Sequence, residues 1–484
     1  MKNITAQDLY NYVKCPYRVY LDENGDISAK GKVNSFVELL WKMGLTNEKE
    51  VIATLGKETV EVHEDSQEKS FKKTLELMQK GVPIIYHGCL IENNRLGIPD
   101  LLIRCDDHPS NLGPYYYEAI EIKSGKGIED ERRQTFKKHY AFQVIFYNDL
   151  LSVFQGYPST KGKIINGNKQ IEEFLIADYR DEYTQAFEDV EKLKDASGQC
   201  EPIISSGCSL CVWSEQCLTW AKKVSDPTLI FFIGKNKYLL KSRGLDTVEK
   251  IASMDVEKYL KPPLRMRGLG EESLKHMKKR AQVNILGKPS IDQDFTLPSA
   301  QTEIYFDIED DPTQGLTYLF GLYIVSGSGK AKFRYFIAKE PKDEEKIVRE
   351  FWDFIGSTKN AVYFVYSAKE KSTLKKLREK YNLSDEIYQK YLLNEFDLYT
   401  KLVAKHSDWP TFSYGLKQIA KQIGFKWRDE DPSGANSIAW YNQYLQTKDE
   451  AILNRILDYN EDDCKATCEV KRFFEGYKEK AINV

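Results

Sequence analysis

The chain has 484 residues, 41% of them hydrophobic and 30% charged, which is ordinary for a globular protein with more than one apolar core. At about 150 residues per domain, this length suggests roughly three domains. Seventy basic residues stand against 73 acidic ones, so the formal net charge of -3 excludes a globally basic nucleic-acid binder but not a locally basic one. Because no run of about 18 apolar residues and no signal-peptide pattern occurs, we expect a cytoplasmic protein without a membrane span.

The first segment, residues 1–222, mixes helical and strand patterns and carries two carboxylates near a lysine. Tyr115–Lys123 predicts a strand, and because side chains alternate along a strand, Glu121 and Lys123 share one face. Asp100 begins the preceding apolar run and can reach that face across a strand pair. Carboxylate oxygens suit Mg²⁺ or Mn²⁺, and the lysine ammonium can stabilise negative charge that develops on a phosphate.

A predicted helix over Asp130–Leu150 adds Gln143 and Tyr147, which lie four residues apart on one helix face. The order of Asp100, the Glu-x-Lys motif and the Gln-x-x-x-Tyr motif resembles the PD-(D/E)xK nucleases of the RecB type. This resemblance implies a restriction-endonuclease-like fold over most of residues 1–222. It also implies that the Asp and Glu bind metal, that the Lys is catalytic, and that the Gln-x-x-x-Tyr helix supports the site and the substrate.

One position departs from that family. RecB-type nucleases usually carry a metal-binding His on an earlier helix, in a Gly-x-x-x-His context. Here the comparable stretch begins at Gly44 and has Glu48 where the His would stand. Glutamate is also a hard ligand, so Glu48 is a candidate metal ligand, with a solvated surface residue as the alternative. The substitution leaves the metal preference open.

Nine cysteines in a chain without a signal peptide argue against a disulfide scaffold. Three of them lie within ten residues, and a fourth ligand would be Cys15 or, alternatively, Cys200. The early Cys-Pro and the late Cys-x₂-Cys-x₅-Cys resemble the iron–sulfur branch of RecB-like nucleases, which includes AddB and the CRISPR-associated RecB-like exonucleases. The resemblance implies a structural 4Fe–4S cluster, and Zn²⁺ is the alternative because four thiolates suit it equally. The implied cluster ligands are Cys15, Cys208, Cys211 and Cys217.

The second segment, residues 223–290, is helical and basic. From Lys235 to Lys288, fourteen basic residues stand against six acidic ones, which indicates a phosphate-binding surface or, alternatively, a solvated lysine-rich one. The sequence Gly-Leu-Gly between two helical patterns resembles a helix–hairpin–helix motif, which binds the DNA backbone without reading sequence. A helical hairpin that only packs is the alternative. The candidate DNA contacts are Arg265, Arg267, Gly268, Gly270 and Lys275.

The third segment, residues 291–484, follows a linker with Gly, Pro and Ser and predicts three strands and then helices, as in an α/β domain with a mixed sheet. Asp307 and Glu309 share one face of its first strand, whereas Tyr459 and Asp463 share one face of a late helix. Three carboxylates and a tyrosine can hold two metal ions about 4 Å apart and orient a water molecule.

These Asp-x-Glu and Tyr-x-x-x-Asp motifs resemble the DEDD exonucleases of the ribonuclease H-like, DnaQ-type fold, in their tyrosine variant. The resemblance implies that the three acids bind metal and that the tyrosine assists. The remaining acid of the DEDD pattern, its second aspartate position, is either Glu370 or Asp397. Glu370 is preferred because it opens a helix directly after a strand.

All three segments in this order resemble RecB-like nucleases that stand alone or are linked to a helicase. We therefore predict an α/β multidomain, metal-dependent DNA nuclease, an exonuclease acting on single-stranded DNA or ends, with a helicase as a further partner. The alternatives are an RNA-processing 3′–5′ exonuclease acting through the C-terminal domain and a non-catalytic DNA-binding adaptor of a helicase. The predicted catalytic residues are Asp100, Glu121, Lys123, Asp307, Glu309, Glu370, Tyr459 and Asp463.

Overall fold

The structure is a computed structural model that describes residues 3–55, 58–130 and 135–482, with the backbone alone for 478–482. The chain forms two compact units, one of Met1–Lys32 and Val37–Pro202 and the other of Val33–Phe36 and Ile203–Val484. The division into three domains stays a prediction. None of the described helices combines the length and the apolar character needed to cross a bilayer.

The first unit mixes helices and short strands. Its helices are α1 (Ala6–Lys14), α2 (Pro16–Asn24), α3 (Ser35–Thr54), α4 (Gln67–Gln79), α5 (Lys138–Gln155) and α6 (Arg180–Lys194). Its strands are β1 (Ile4–Thr5), β2 (Thr59–Glu61), β3 (Ile84–Tyr86), β4 (Leu90–Glu92), β5 (Arg95–Gly97), β6 (Leu101–Cys105), β7 (Tyr116–Ile122), β8 (Ile128–Asp130), β9 (Thr135–Phe136), β10 (Lys161–Ile165) and β11 (Ile171–Leu175).

The main sheet of the first unit has the strand order β11-β10-β7-β6-β3-β2. Strand β7 is antiparallel to β6 and parallel to β10, and it is buried along its whole length. Helix α5 packs against β7, so its apolar residues and those of the strand share one core. This arrangement places the end of β7 and the start of β6 side by side.

Helix α5 begins at Lys138, so the predicted start at Asp130 is wrong. Strands β8 and β9 pair antiparallel before the helix, and the predicted helical residues 131–134 lie outside the described chain. The physical reason is that residues 130–137 contain a single apolar side chain, Phe136, and therefore no apolar helix face to bury.

The second unit begins with short helices and continues with a mixed sheet. Its helices are α7 (Ser214–Lys223), α8 (Asn236–Lys241), α9 (Val248–Ser253), α10 (Val256–Leu260), α11 (Glu271–Leu286), α12 (Glu344–Ser357), α13 (Lys369–Tyr381), α14 (Asp385–Asn394), α15 (Ala404–His406), α16 (Leu416–Gln422), α17 (Gly434–Thr447) and α18 (Glu450–Ile482). Its strands are β12 (Ser290–Ile291), β13 (Thr302–Asp311), β14 (Leu316–Ser326), β15 (Ala331–Ile337), β16 (Ala361–Val365), β17 (Glu395–Asp397) and β18 (Ser407–Asp408).

The five-stranded sheet of the second unit has the order β15-β14-β13-β16-β17. Strand β13 is antiparallel to β14 and parallel to β16, so the predicted mixed sheet is confirmed. Alternation along β13 puts Phe306 and Ile308 into the core that α12 shares, whereas Tyr305 enters the core shared with α18. Asp307 and Glu309 therefore continue the face of β13 that looks toward α18.

Two candidate metal centres

The main sheet of the first unit brings together the acids and the lysine predicted from the first segment. Asp100 directly precedes β6, and the antiparallel register of β6 and β7 places it opposite Glu121. The Ile122 N–H donates a hydrogen bond of 2.7 Å to Asp100 Oδ2. Lys123 Nζ forms a short ion pair with Glu121 Oε2. These side chains converge because the start of β6 and the end of β7 lie side by side.

A histidine joins these acids. Glu48, on α3, is buried, and its Oε1 lies 2.8 Å from Nε2 of His87, the residue that follows β3. Ligand atoms of Glu48, His87 and Asp100 all lie within 4.8 Å of one another. We call Glu48, His87, Asp100, Glu121 and Lys123 the N-terminal centre.

The sequence analysis missed His87. Its signal is its place directly after the short apolar strand β3, which pairs with β6, the strand that Asp100 precedes. A single histidine carries no spacing rule, so a pairing of strands was needed before it could be connected with the acids.

The charges of the N-terminal centre depend on one another. Burial and the neighbouring Glu121 raise the pKa of Asp100 to about 8. Burial alone would raise the pKa of Glu48, but the hydrogen bond with His87 brings it below its ordinary value, and the same bond raises the pKa of His87. Burial lowers the pKa of Lys123, yet Glu121 and Asp100 leave it raised overall. Carboxylates held this close to one another favour a bound cation.

Helix α5 supports this centre from below. Tyr147 and Gln143 are both buried, and burial, followed by the nearby Glu121 carboxylate, raises the pKa of the Tyr147 hydroxyl. Gln143 Oε1 has no hydrogen-bond partner among the described residues. A Cβ at Gly97 of β5 would lie 2.9 Å from Tyr147 Cδ1, so glycine lets this strand approach the helix. The structure thus connects Tyr147 with the predicted site and leaves Gln143 as a buried neighbour on the same helix.

The second unit brings together the acids predicted from the third segment. Asp307 and Glu309 on β13 and Asp463 on α18 have ligand atoms within 4.8 Å of one another. Asn460 Nδ2 donates to Asp307 Oδ2 at 2.8 Å and to Glu309 Oε1 at 3.4 Å. A Cβ at Gly321, which pairs with Asp307, would lie 1.5 Å from Asn460 Oδ1, so only glycine leaves room for this amide.

Two side chains from outside the sequence motifs are hydrogen-bonded to Asp463. Trp427 Nε1 donates to Asp463 Oδ1 at 2.7 Å, and Lys417 Nζ donates to Asp463 Oδ2 at 3.3 Å. Lys417 also donates to the Tyr459 hydroxyl at 2.7 Å. Both carboxylate oxygens of Asp463 and the tyrosine hydroxyl are therefore oriented. The sequence analysis did not include Trp427, Lys417 or Asn460 in the site.

The structure separates the two candidates for the second DEDD acid. Glu370 is buried in the first turn of α13, and its carboxylate is close enough to Asp307 for the two charges to repel. Asp397 instead accepts the backbone N–H groups of Tyr399 and Thr400 at 2.9 Å and 3.2 Å, which is a local capping role. We call Asp307, Glu309, Glu370, Tyr459 and Asp463 the C-terminal centre.

Burial and mutual repulsion favour the protonated forms of the C-terminal acids. Burial, and then Glu309 and Asp463, raise the pKa of Asp307 well above its ordinary range. Burial raises the pKa of Glu309 to about 7, although the nearby Lys369 opposes this. Burial and Asp307 raise the pKa of Glu370 to about 8. A divalent cation would relieve this repulsion, and carboxylate oxygens are the donors that Mg²⁺ and Mn²⁺ prefer.

The predicted DNA contacts lie around the start of α11. Arg265, Arg267, Gly268 and Gly270 are exposed and line a cavity of about 300 Å³. Gly268 has a φ of +85°, which favours glycine, and Gly270 caps α11 without a side-chain hydrogen bond. The last predicted contact, Lys275, is exposed and forms an ion pair of 2.6 Å with Glu271.

The cysteines of the predicted cluster occupy two settings. Cys208 lies in the short 3₁₀ helix Ser206–Leu210 and Cys217 in α7, and Cys211 lies between them. Cys15 separates α1 from α2 with an extended backbone. Cys208 and Cys211 are partly buried and Cys217 is buried. The iron–sulfur assignment stays a prediction.

Residues 304–474 match the model of the family RNase_H_2, which belongs to the RNase_H superfamily. This segment contains every residue of the C-terminal centre, together with Lys417, Trp427 and Asn460. The C-terminal part of the chain is therefore a ribonuclease H-like domain, a fold that is typical of metal-dependent nucleases. No curated protein sequence matches the chain.

Proposed function

We propose that the chain is a metal-dependent DNA nuclease with two hydrolytic centres. The observation that carries this proposal is the convergence of Asp307, Glu309 and Asp463 inside a segment that matches the ribonuclease H superfamily. The N-terminal centre would cut phosphodiester bonds as in PD-(D/E)xK nucleases of the RecB type, and the C-terminal centre would trim ends. Single-stranded DNA or DNA ends as substrates follow from the resemblance, and so does a helicase partner.

The residues of both centres fit divalent cations. Each centre offers three ligand atoms within 4.8 Å of one another, and their oxygens are hard donors. When bound, Mg²⁺ or Mn²⁺ polarises a phosphate and makes hydroxide available at neutral pH. Asp100, Glu121 and Glu48 would hold the ion in the first unit, and Asp307, Glu309, Glu370 and Asp463 in the second.

The other side chains would position the reacting groups. The Lys123 ammonium, held by Glu121, can stabilise negative charge on the scissile phosphate. Tyr147, buried on α5 near Glu121, would help to hold that carboxylate in place. In the C-terminal centre, the Tyr459 hydroxyl, held by Lys417, can orient a water molecule. Exposed arginines and backbone N–H groups at the start of α11 would hold the DNA backbone without reading its sequence.

The test is a nuclease assay of the full chain with Mg²⁺ or Mn²⁺ on DNA and RNA labelled at either end. We compare the wild type with Lys123→Ala, with Asp307→Asn and with the double variant. Each single change should remove one activity, and the double variant should be inactive on DNA. Strong cleavage of RNA that Asp307→Asn abolishes would favour the RNA-processing exonuclease instead.

Matched controls come from the same strands. Lys163→Ala breaks a 2.6 Å ion pair with Glu118, which lies on the opposite face of β7 from Glu121. Glu303→Gln removes an acid on the Asp307 face of β13, at the far end of the strand, where it pairs with Lys471. Both controls should keep full activity. If the double variant cuts DNA as well as the wild type, both site assignments are wrong. A wild type that cuts neither DNA nor RNA would favour the non-catalytic adaptor.

We also propose that Cys15, Cys208, Cys211 and Cys217 bind a 4Fe–4S cluster with a structural role, because thiolates are the ligands of such clusters. Anaerobic purification followed by iron, sulfide and zinc analysis and an absorbance spectrum tests this. Brown protein with about four irons and four sulfides per chain is the expected result. Colourless protein with one zinc would contradict the cluster and establish the alternative.

A further inference from the structure

The N-terminal centre contains an imidazole that its nuclease motif does not include. Three donors from separate elements meet there: Glu48 of α3, His87 after β3, and Asp100 before β6. His87 Nε2 lies 2.8 Å from Glu48 Oε1, and one ligand atom of each residue lies within 4.8 Å of the other two. The imidazole therefore faces the same small volume as the carboxylates, at a spacing that one ion can bridge.

The backbone holds His87 in this place. Its φ is +55°, a left-handed conformation that few residues other than glycine adopt, although asparagine, aspartate and histidine adopt it more often than the rest. In this conformation the His87 N–H donates a hydrogen bond of 3.1 Å to the carbonyl oxygen of Asp100. Strained backbone of this kind persists where the surroundings fix it and is concentrated at functional sites. The histidine and Asp100 are thus positioned together.

The ring packs against one neighbour and faces a second. The imidazole stacks on Tyr86, with ring centroids 3.8 Å apart. Its second nitrogen, Nδ1, faces Glu61 of β2 at 4.0 Å. Histidines that bind metal usually turn their other ring nitrogen toward a carboxylate, a carbonyl or water, which fixes the tautomer. The side chain is 35% exposed, so an ion from solvent can reach Nε2.

We infer that His87 Nε2 is a direct ligand of the divalent metal ion in the N-terminal centre, together with Glu48 and Asp100. This inference rests on the proposed nuclease function of that centre and adds a ligand to it. Imidazole nitrogen suits Mn²⁺ and later transition metals better than Mg²⁺, which prefers oxygen. The N-terminal centre should therefore prefer Mn²⁺ over Mg²⁺, whereas the all-oxygen C-terminal centre should accept both.

The experiment uses Mn²⁺ itself as the probe in the full chain. Asp307→Asn and Asp463→Asn together remove two acids of the C-terminal centre, so that the Mn²⁺ bound tightly belongs to the N-terminal one. Pulsed electron paramagnetic resonance then detects nitrogen bonded to Mn²⁺. We expect a nitrogen coupling that changes when the protein contains histidine labelled with the heavy nitrogen isotope, which excludes lysine and backbone nitrogen as its source.

The matched variant is His87→Asn, because asparagine tolerates the left-handed backbone but lacks the imidazole. It should lose the nitrogen coupling and bind Mn²⁺ about 10–100-fold more weakly. His63→Gln, an exposed histidine of the same unit, should change neither quantity. The spectrum of the protein with His87 intact decides the question even if His87→Asn folds poorly.

Each outcome has a separate meaning. Tightly bound Mn²⁺ that shows no nitrogen coupling, and that Asp100→Asn releases, would overturn ligation by His87 and leave the proposed nuclease centre standing. The variant with Asp307→Asn and Asp463→Asn keeps the N-terminal centre intact. If this variant binds no Mn²⁺, both the proposed ligand and the proposed metal centre are wrong. A nitrogen coupling that His87→Asn leaves unchanged would also overturn the inference.

Discussion

The two centres solve the same electrostatic problem with different groups. Both hold carboxylates close enough to repel one another. In the N-terminal centre the compensating groups are cationic or basic: Lys123 beside Glu121, and His87 beside Glu48. In the C-terminal centre an uncharged amide, Asn460, lies between the two acids of β13, and the cation that pairs with the remaining acid, Asp463, is Lys417 from outside the motif.

The difference extends to the source of these groups. Lys123 belongs to the same short motif as Glu121, whereas the partners of Asp463 are Trp427 and Lys417, more than thirty residues earlier in the chain. A motif that carries its own counter-charge can be found by spacing alone. A motif that takes its partners from other segments leaves them invisible until the fold is known.

The largest expected effect concerns Lys123 in comparison with Lys161, an exposed lysine of the same unit. Lys123→Met, measured with the C-terminal centre disabled by Asp307→Asn, should lower the cleavage rate by about 10²–10³-fold, because its charge is expected to act on the phosphate. Single-turnover assays on labelled DNA measure this rate. Lys161→Met, which removes an exposed ion pair with Glu173 of the same unit, is the control and should keep the rate. An unchanged cleavage rate in Lys123→Met would show that the charge of Lys123 does not act on the phosphate.

Local periodicity explains what the sequence could predict. The shared face of Glu121 and Lys123, and that of Asp307 and Glu309, follow from strand alternation, which needs no tertiary information. The i, i+4 relation of Tyr459 and Asp463 follows equally from helix geometry. The mixed sheet of the third segment follows from its order of strands and helices.

Long-range placement explains what the sequence could not predict. The choice between Glu370 and Asp397 depends on which one lies near Asp307, and both lie at the carboxyl ends of neighbouring strands, Glu370 after β16 and Asp397 as the last residue of β17. His87 and Trp427 are single residues without a spacing rule, so only strand pairing and loop packing connect them with the acids. The start of α5 was misplaced because the charged stretch before it carries no periodic signal.

The next effect tests whether partners outside the motif matter. Trp427→Phe keeps the aromatic ring but removes the N–H that holds Asp463 Oδ1. We expect the activity of the C-terminal centre to fall about 10–100-fold, the range for residues that orient metal ligands. Trp409→Phe is a close control, since it removes an indole N–H bonded to Ser407 Oγ at 2.7 Å, away from the acids.

The measurement is end trimming by the C-terminal centre in a Lys123→Ala background, together with Mg²⁺ titration by calorimetry. Trp427→Phe should weaken Mg²⁺ binding, whereas a residue that only packs would change stability and leave the binding constant unaltered. If Trp427→Phe and Trp409→Phe behave alike, the indole does not position Asp463.

A third comparison concerns the glycine beside each centre. Gly321→Ala would drive a methyl group into Asn460, and Gly97→Ala would drive one into Tyr147 and Leu150. Each should cost about 1–3 kcal/mol of stability, the usual range for overpacking. Gly321→Ala should also impair the C-terminal centre directly, because Asn460 contacts two of its acids.

Calorimetric unfolding and the two nuclease assays measure these effects. Gly44→Ala and Gly434→Ala, where a Cβ would meet nothing within 4 Å, are the controls for the two units. Equal stability of Gly321→Ala and Gly434→Ala would contradict the close approach of Asn460 to β14.

The smallest expected effect concerns the positive surroundings of the N-terminal centre. His139 packs edge-on against Tyr10, with ring centroids 4.9 Å apart. Burial, and then Lys14 and Lys137, lower the pKa of His139 from 6.5 to about 3. The folded protein therefore binds fewer protons than the unfolded chain between these values, so the contribution of His139 to stability is complete above pH 6.5 and is lost as the pH falls toward 3.

His139→Gln should remove this loss, so that the variant loses less unfolding free energy on acidification than the wild type does. His139 is partly exposed, which reduces the effect. We therefore expect the two proteins to differ by on the order of 1 kcal/mol in the stability that each loses when the pH falls from about 7 to about 5. Denaturant unfolding at several pH values measures it, with the exposed His63→Gln as the control. Parallel pH profiles for His139→Gln and the wild type would mean that the cations around the first centre do not reach this ring. The positive charge around the N-terminal centre would then come from Lys123 and His87 alone.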